Sequence, residues 1–274
     1  MNVSQTRGKA IVSGILFWYP LAGVTYQFLH YLIGLRQLGW DVYYVEDSTR
    51  WLYDPKARVI TGDASGNVGQ VAPALAAHGF EGKWAFRSGV GGPCYGMSEA
   101  QIQQLYRDAD VLLNVTGAQE LREEHLRIPR RLYVESDPFG SQVKLHNGDA
   151  VLQALVDAHD TWFSFGENLG HSDCDTPLDR AWLPTRQPVA LELWQPSESA
   201  AAETYTTITT WHNDGKAVTY RGETYHWTKD REFLHYLQLP ALRPQASFEL
   251  ATDANAQDRS QLEGCGFRVC DALA

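Results

Sequence analysis

Paired cysteines, long apolar runs and a surplus of positive charge are all missing from this chain. Its 274 residues include four cysteines, Cys94, Cys174, Cys265 and Cys270. No two of them form a CxxC pair and they are too sparse for a disulfide framework, so reduced thiols in a cytoplasmic protein are expected. No stretch approaches the roughly 20 apolar residues that a membrane-spanning helix requires, so no membrane span is expected. The polar start, Met1 to Lys9, leads into only about seven apolar residues before Trp18-Tyr19-Pro20, which does not resemble a cleavable signal. Lysine and arginine total 23 against 33 aspartates and glutamates, a net charge of −10. Such a chain needs a strong local basic patch to hold nucleic acid through counterion release. The longest basic run, Arg127 to Arg131, has Ile128 and Pro129 inside it and reads as a solvated edge. No nucleic-acid partner is therefore expected. Asn114-Val115-Thr116 fits the glycosylation sequon, which without a secretory route reads as chance.

What is present is ordinary folded material: 44% hydrophobic and 20% charged residues, at a length that suits one large or two modest domains. Residues 10–16 carry Ile11, Val12, Ile15 and Leu16, as expected of a strand buried on both faces. The run breaks at residues 17–23, after which Phe28, Leu32, Leu35 and Leu38 recur at helical spacing until Gly39, a helix stop. Asp41 to Glu46 then reads as a second strand, giving the opening of a doubly wound sheet. The alternation continues with helices near 68–78, 98–107 (capped by Ser98) and 150–158, and strands near 83–87, 110–115, 131–135 and 162–165. The predicted class is α/β, a doubly wound Rossmann-like parallel sheet over residues 1–196. Residues 197–203 read as a linker. Residues 204–274 read as a partial second α/β lobe: strands at 205–211, 247–251 and 267–270, helices at 230–237 and 257–263, and a hairpin around Gly215 and Gly222.

In open α/β sheets ligands bind beyond the carboxyl ends of the strands, so the loops leaving them are where chemistry is sought. The first, residues 17–25, presents Trp18, Tyr19 and Thr25. The two rings suit a sugar ring or an aromatic acceptor, or else pack inward under the loop. Gly14 and Gly23 do not make GxGxxG, which removes the main signature of a dinucleotide site. The second, Asn114-Val115-Thr116-Gly117, offers Asn114 and Thr116 to a substrate hydroxyl, or uses them to close the turn. The third, residues 135–142, sets Glu135 and Asp137 two apart, where one could have its pKa raised and act as a general base. Alternatively Asp137 caps the Pro138 turn and Glu135 meets a cation. The fourth, residues 167–175, gathers His171 with Asp173-Cys174-Asp175. That spacing matches no standard zinc module, so no metal is assigned, and His171 is a base, a hydroxyl-binding group or a solvated loop histidine.

At residues 14–47, GILFWYPLAGVTYQFLHYLIGLRQLGWDVYYVED, the chain resembles the amino-terminal lobe of the two-lobed GT-B glycosyltransferases. Gly34-Leu35-Arg36-Gln37-Leu38-Gly39-Trp40-Asp41-Val42 stands where they carry GLRxLGHxV. The chain is similar to a little-characterised bacterial glycosyltransferase-like group through YVESDPFGSQ (133–142), LPTRQPVALELW (183–194) and TYRGETYHWTKDREF (219–233). The resemblance implies an acceptor-binding amino-terminal lobe, a nucleotide-sugar donor on the carboxy-terminal lobe, and no cofactor or obligatory metal. It implies Asp137 or His171 as the base, with Trp18, Tyr19, Thr25, Asn114, Thr116, Glu135, Gln142 and Arg186 binding substrate. Such proteins continue past the equivalent of Ala274, so the end of the donor lobe is expected to be lacking, and copies are expected to associate through the incomplete second lobe. The expected function is metal-independent transfer of a sugar from a nucleotide sugar to a hydroxyl of a small-molecule or glycan acceptor. The alternatives are a non-catalytic acceptor-binding or scaffold module and, third, an epimerase-like hydrolase.

Overall fold

The computed structural model describes residues 6–47, 52–89, 91–196, 203–213 and 215–272. The predicted linker, except Glu203, and the chain end at Ala274 lie outside them. The chain divides into two compact units, Met1–Trp194 and Gln195–Ala274.

The first unit runs β1 (Lys9–Ser13), α1 (Ala22–Gln37), β2 (Asp41–Asp47), β3 (Leu52–Asp54), β4 (Val59–Thr61), α2 (Ser65–Ala77), β5 (Trp84–Arg87), β6 (Cys94–Gly96), α3 (Glu99–Asp108) and β7 (Val111–Val115). It continues with α4 (Glu123–Leu126), β8 (Arg130–Glu135), α5 (Gly140–His146), α6 (Ala150–Asp157), β9 (Thr161–Ser164) and β10 (Leu183–Pro184). Eight strands form one sheet in the order β10-β9-β8-β7-β1-β2-β5-β6. Its pairings are parallel except at the β5–β6 edge. The predicted α/β class with a large parallel sheet is what the fold shows.

Strand β1 lies at the centre and is buried on both faces, which is why it reads as an unbroken apolar run. Ala10 and Val12 join a core with Phe28, Leu32 and Leu75 from α1 and α2, while Ile11, one residue out of phase, joins Ile102 and Leu105 of α3. Gly14 admits α1 to close range: a Cβ there would lie 2.1 Å from the Phe28 ring. Helix α3 starts where expected, Ser98 and Gln101 forming a capping box that satisfies two amides left over at the helix start. Leu38, expected on the apolar face of α1, is instead its exposed C-cap.

The chain leaves β1 toward β2 and β5, then returns to add β7, β8 and β9 on the other side. The order therefore reverses between β1 and β7, and the loops after these strands diverge there, the usual place for a ligand crevice.

The second unit contains β11 (Thr204–Thr209), the hairpin β12 (Val218–Tyr220) and β13 (Glu223–Tyr225), α7 (Asp230–Phe233), α8 (Leu239–Leu242), β14 (Ser247–Thr252), α9 (Ala256–Gly264) and β15 (Arg268–Asp271). Strands β11, β14 and β15 make a parallel sheet in that order, packed on Trp211, Leu250, Leu262 and Phe267. The expected hairpin turns at Arg221-Gly222, both at positive φ (51° and 81°), the geometry that a two-residue hairpin loop demands. Gly215 lies ahead of β12 and takes no part in the turn.

Candidate active site

At the end of β2, Glu46 is buried beneath the loop that follows β1. Its Oε2 accepts hydrogen bonds from the Phe17 amide (2.7 Å) and the Tyr44 hydroxyl (2.7 Å), and its Oε1 accepts one from the Trp18 amide (2.9 Å). Tyr44 in turn accepts the Leu16 amide at 2.9 Å. Asn67 of α2 donates to the Phe17 carbonyl at 2.7 Å. The amides of residues 16–18 are thus spent on a carboxylate and a phenol and are not offered to a phosphate. Burial pushes Glu46 up to about 8, against the pull of these donors. The loop orients its two rings oppositely: Trp18 is 5% exposed, whereas Tyr19 is 40% exposed and packs on Tyr53 at 5.9 Å. Thr25 is half-buried in the first turn of α1.

At the end of β7, Asn114 is fully buried. It donates to the Gln119 carbonyl (2.8 Å), accepts the Gln119 amide (3.1 Å) and meets His159 Nε2 at 3.1 Å. It therefore closes the turn. Thr116 and Gly117 are both at positive φ, 69° and 62°. The Tyr133 hydroxyl would lie 2.4 Å from a Cβ at Gly117, so that position requires glycine. The Thr116 hydroxyl is buried without a hydrogen-bond partner among the described residues.

At the end of β8 the two predicted carboxylates separate. Glu135 is buried and Asp137 exposed. Glu135 accepts from Ser164 Oγ of β9 (2.6 Å), the Asp137 amide (3.0 Å) and Gln142 Nε2 (3.4 Å). Burial raises its pKa, these donors opposing the rise. Gln142, also buried, receives the Phe139 amide on Oε1 at 2.6 Å. Glu135 and Gln142 act together to shape the loop between β8 and α5.

This loop helps to line an open cleft of about 450 Å³, together with Phe165, Glu167, Asn168, Leu169, Cys174 and Thr176; from the loop come Pro138 and Phe139. Asp137 immediately precedes the lining residue Pro138. His171, exposed, lies in the chain between the lining residues Leu169 and Cys174. Arg186 is exposed and binds Glu167 in a two-pronged pair, Nε–Oε1 2.5 Å and Nη2–Oε2 2.6 Å. The third and fourth predicted loops thus meet at one cleft. Trp18, Tyr19 and Thr25 belong to the β1 loop, and Asn114 and Thr116 to the β7 turn.

A buried charge cluster that sequence reasoning missed stands at the ends of β2 and β5. Arg87 is 2% exposed. It binds Asp47, and also Glu99 (2.5 Å) and Glu124 (3.1 Å), while Arg122 binds the same Asp47 and Glu124. Asp47, Glu124 and His125 each place one ligand atom within 4.8 Å of the others, the only such group among the described residues. A metal does not fit here, because two guanidinium groups already neutralise the carboxylates. His125 Nδ1 also accepts the Arg122 amide at 2.9 Å, which leaves the hydrogen on Nε2, the atom facing the carboxylates.

The buried groups define a pH dependence. Glu46, raised to about 8, stabilises the fold fully below its ordinary value of 4.5 and loses this as pH rises through about 8. Burial pushes His125 and His159 down to about 4, so they contribute above their ordinary 6.5 and lose it as pH falls. Between pH 6.5 and 8 only the Glu46 effect remains in play among these three. Stability is expected to decline there with a slope of up to about 1.4 kcal/mol per pH unit. Urea midpoints across that range check it, and Glu46→Gln should flatten the slope.

No protein-family model and no curated protein matches the chain. Solved structures do. An alpha-glucosyltransferase in complex with UDP and a 13-mer DNA containing a HMU base aligns over 96% of this chain and 67% of its own, with TM-score 0.50 and 12% identity. In fold, a large parallel-dominated sheet with helices, the chain is similar to this glucosyltransferase. A second structure of alpha-glucosyltransferase with UDP and such a DNA covers 94% of this chain at TM-score 0.45 and 12% identity, and the glycotransferase of kitacinnamycin covers 92% at 0.39 and 13%. The chain spans 60% and 68% of their lengths respectively. This likeness corrects one expectation. Nucleic acid was excluded on net charge, yet the alpha-glucosyltransferase that shares this fold is held with DNA. Net charge is a sum over the whole surface, whereas docking responds to the local field and to the loops that project. No described helix is long and apolar enough to cross a membrane.

Proposed function

We propose that this chain transfers a sugar from a nucleotide sugar to a hydroxyl acceptor, the acceptor lying in the first unit and the donor in the second. The observation that carries the reading is the open cleft at the carboxyl ends of β8 and β9, in a fold shared with a UDP-holding glucosyltransferase. The locked amides of residues 16–18 support this division, since these three are not offered to a phosphate. In the reaction the acceptor oxygen bonds to the anomeric carbon as the bond to the diphosphate breaks. Asp137 or His171 takes the hydroxyl proton, and the nucleoside diphosphate departs. No metal is assigned to the step. Since the fold neighbour is held with DNA, a hydroxyl carried on a nucleobase joins glycans and small molecules as an acceptor to be tried.

Calorimetry with UDP and UDP-glucose, with and without chelator, tests the donor half. Saturable binding indifferent to chelator is expected, and no binding of any nucleotide sugar overturns the reading. In transfer assays, loss of the base through Asp137→Asn or His171→Ala should lower kcat by about 10²–10⁴ while UDP binding is kept.

A further inference from the structure

Phe139 has φ 79° and ψ −58°. A bulky L-residue is strained in this conformation, and strain of this kind persists only where the surroundings over-determine it. Four non-glycine residues among those described have positive φ: Arg58, Thr116, Phe139 and Arg221. Of these, only Phe139 carries an aromatic ring and only Phe139 lines the cleft.

The surroundings that hold it are polar and buried. The Phe139 amide donates to Gln142 Oε1 at 2.6 Å, and Gln142 is 1% exposed. Gln142 Nε2 reaches Glu135 Oε2 at 3.4 Å, and Glu135 is fixed from β9 by Ser164 Oγ at 2.6 Å. The Phe139 carbonyl accepts the Val143 amide at 2.9 Å. A glycine would adopt this backbone without strain, and the chain has one at the next position, Gly140, where a Cβ would meet nothing within 4 Å. An aromatic ring therefore occupies the strained position although a relaxed alternative lies one residue away. Phe165 and Leu169 line the same cleft, with the polar Asn168 and Glu167. A lining of aromatic and apolar side chains with a few polar groups matches a ring that has hydroxyls on its edge and apolar faces.

We propose that Phe139 is the platform on which a ring of the acceptor, a sugar or an aromatic group, is seated, and that Glu135 and Gln142 are positioning residues that hold it there. The word acceptor rests on the sugar-transfer reading; the ring site does not. The strain is the cost of preorganising the platform, and ligand binding does not have to bear it again.

Phenyl β-D-glucopyranoside, which offers both kinds of ring, is the probe, titrated by saturation-transfer NMR into the whole chain, with UDP calorimetry in parallel. Phe139→Leu keeps apolar bulk but removes the flat face and is expected to raise the probe Kd at least tenfold. Phe139→Gly, which relaxes the backbone and so avoids a folding failure, should do the same. Phe139→Tyr should stay within twofold of the unaltered chain. Gln142→Leu should weaken the probe although its side chain is buried behind the wall. UDP affinity should be unchanged in all four. An unaltered chain that shows no saturable binding of the glucoside, or a Phe139→Gly chain that binds it as well as the unaltered one, overturns the proposal. Loss of UDP binding throughout counts instead against sugar transfer and leaves the ring site standing or falling on the glucoside alone.

Discussion

Replacing Glu46 by alanine is expected to destabilise the first unit by at least about 3 kcal/mol, because three buried donors left without an acceptor cost about 1–3 kcal/mol each. The groups stranded would be the Phe17 and Trp18 amides and the Tyr44 hydroxyl, all bonded to this one carboxylate. The vacated volume lies beside Phe17, one of the largest fully buried side chains, so the change also opens a cavity in the main core. Urea unfolding followed by tryptophan fluorescence measures the loss. A Glu46→Ala chain within about 1 kcal/mol of the unaltered one would mean that water replaces the carboxylate, and that the remaining bonds from Asn67, Tyr44, Tyr53 and Gln70 suffice to hold the β1 loop. Glu46→Gln should lie between the two, since one amide oxygen can still accept while the amide nitrogen faces donors.

The second large effect is at Arg87. Arg87→Met is expected to cost about 3–5 kcal/mol, the usual result of leaving half of a buried ion pair in place. Asp47 is fully desolvated, with its side chain 0% exposed, and would retain Arg122 and the Tyr106 hydroxyl (3.2 Å) at its carboxylate. Glu99 and Glu124 would lose the same guanidinium. If the cluster works by mutual compensation, the double change Arg87→Met with Asp47→Leu should recover much of the loss, since replacing a buried pair with apolar groups of similar volume is often neutral. A double-mutant cycle on urea midpoints decides it: additivity would show that the two residues act independently.

These effects fall on residues whose importance sequence inspection does not reveal. Glu46 ends the run Asp41 to Glu46 that reads as a strand, and Asp47 follows it. Nothing local says that both point into the protein. The partners of Asp47 are Arg87, 40 residues on, and Arg122, 75 residues on, and only the β2–β5 pairing and the placement of α4 bring them together. Glu135 shows the same division. Its position after a strand marked it as a candidate, but its assignment as a scaffold for Phe139 depends on Ser164, which is 29 residues away on β9. Phe139 itself has no signature, because φ is not written in residue type unless glycine occupies the position.

By itself the sequence determined the alternation of strands and helices, the positions of β1, β2, β7 and β8, the start of α3 at Ser98, and the loops on which chemistry could sit. These follow from apolar periodicity and capping, which are set by neighbours within a few residues. The short pieces β3, β4, β6, α4, α5 and β10 escaped because they span too few residues to show a period. Tertiary structure alone decided which acids turn inward, which of two adjacent rings faces solvent, that the loops after β8 and β9 share one cleft, and that Arg87 and Arg122 close the Asp47 site to a metal. Each of these depends on burial and on partners far along the chain, and burial is a property of the assembled sheet that no local pattern encodes.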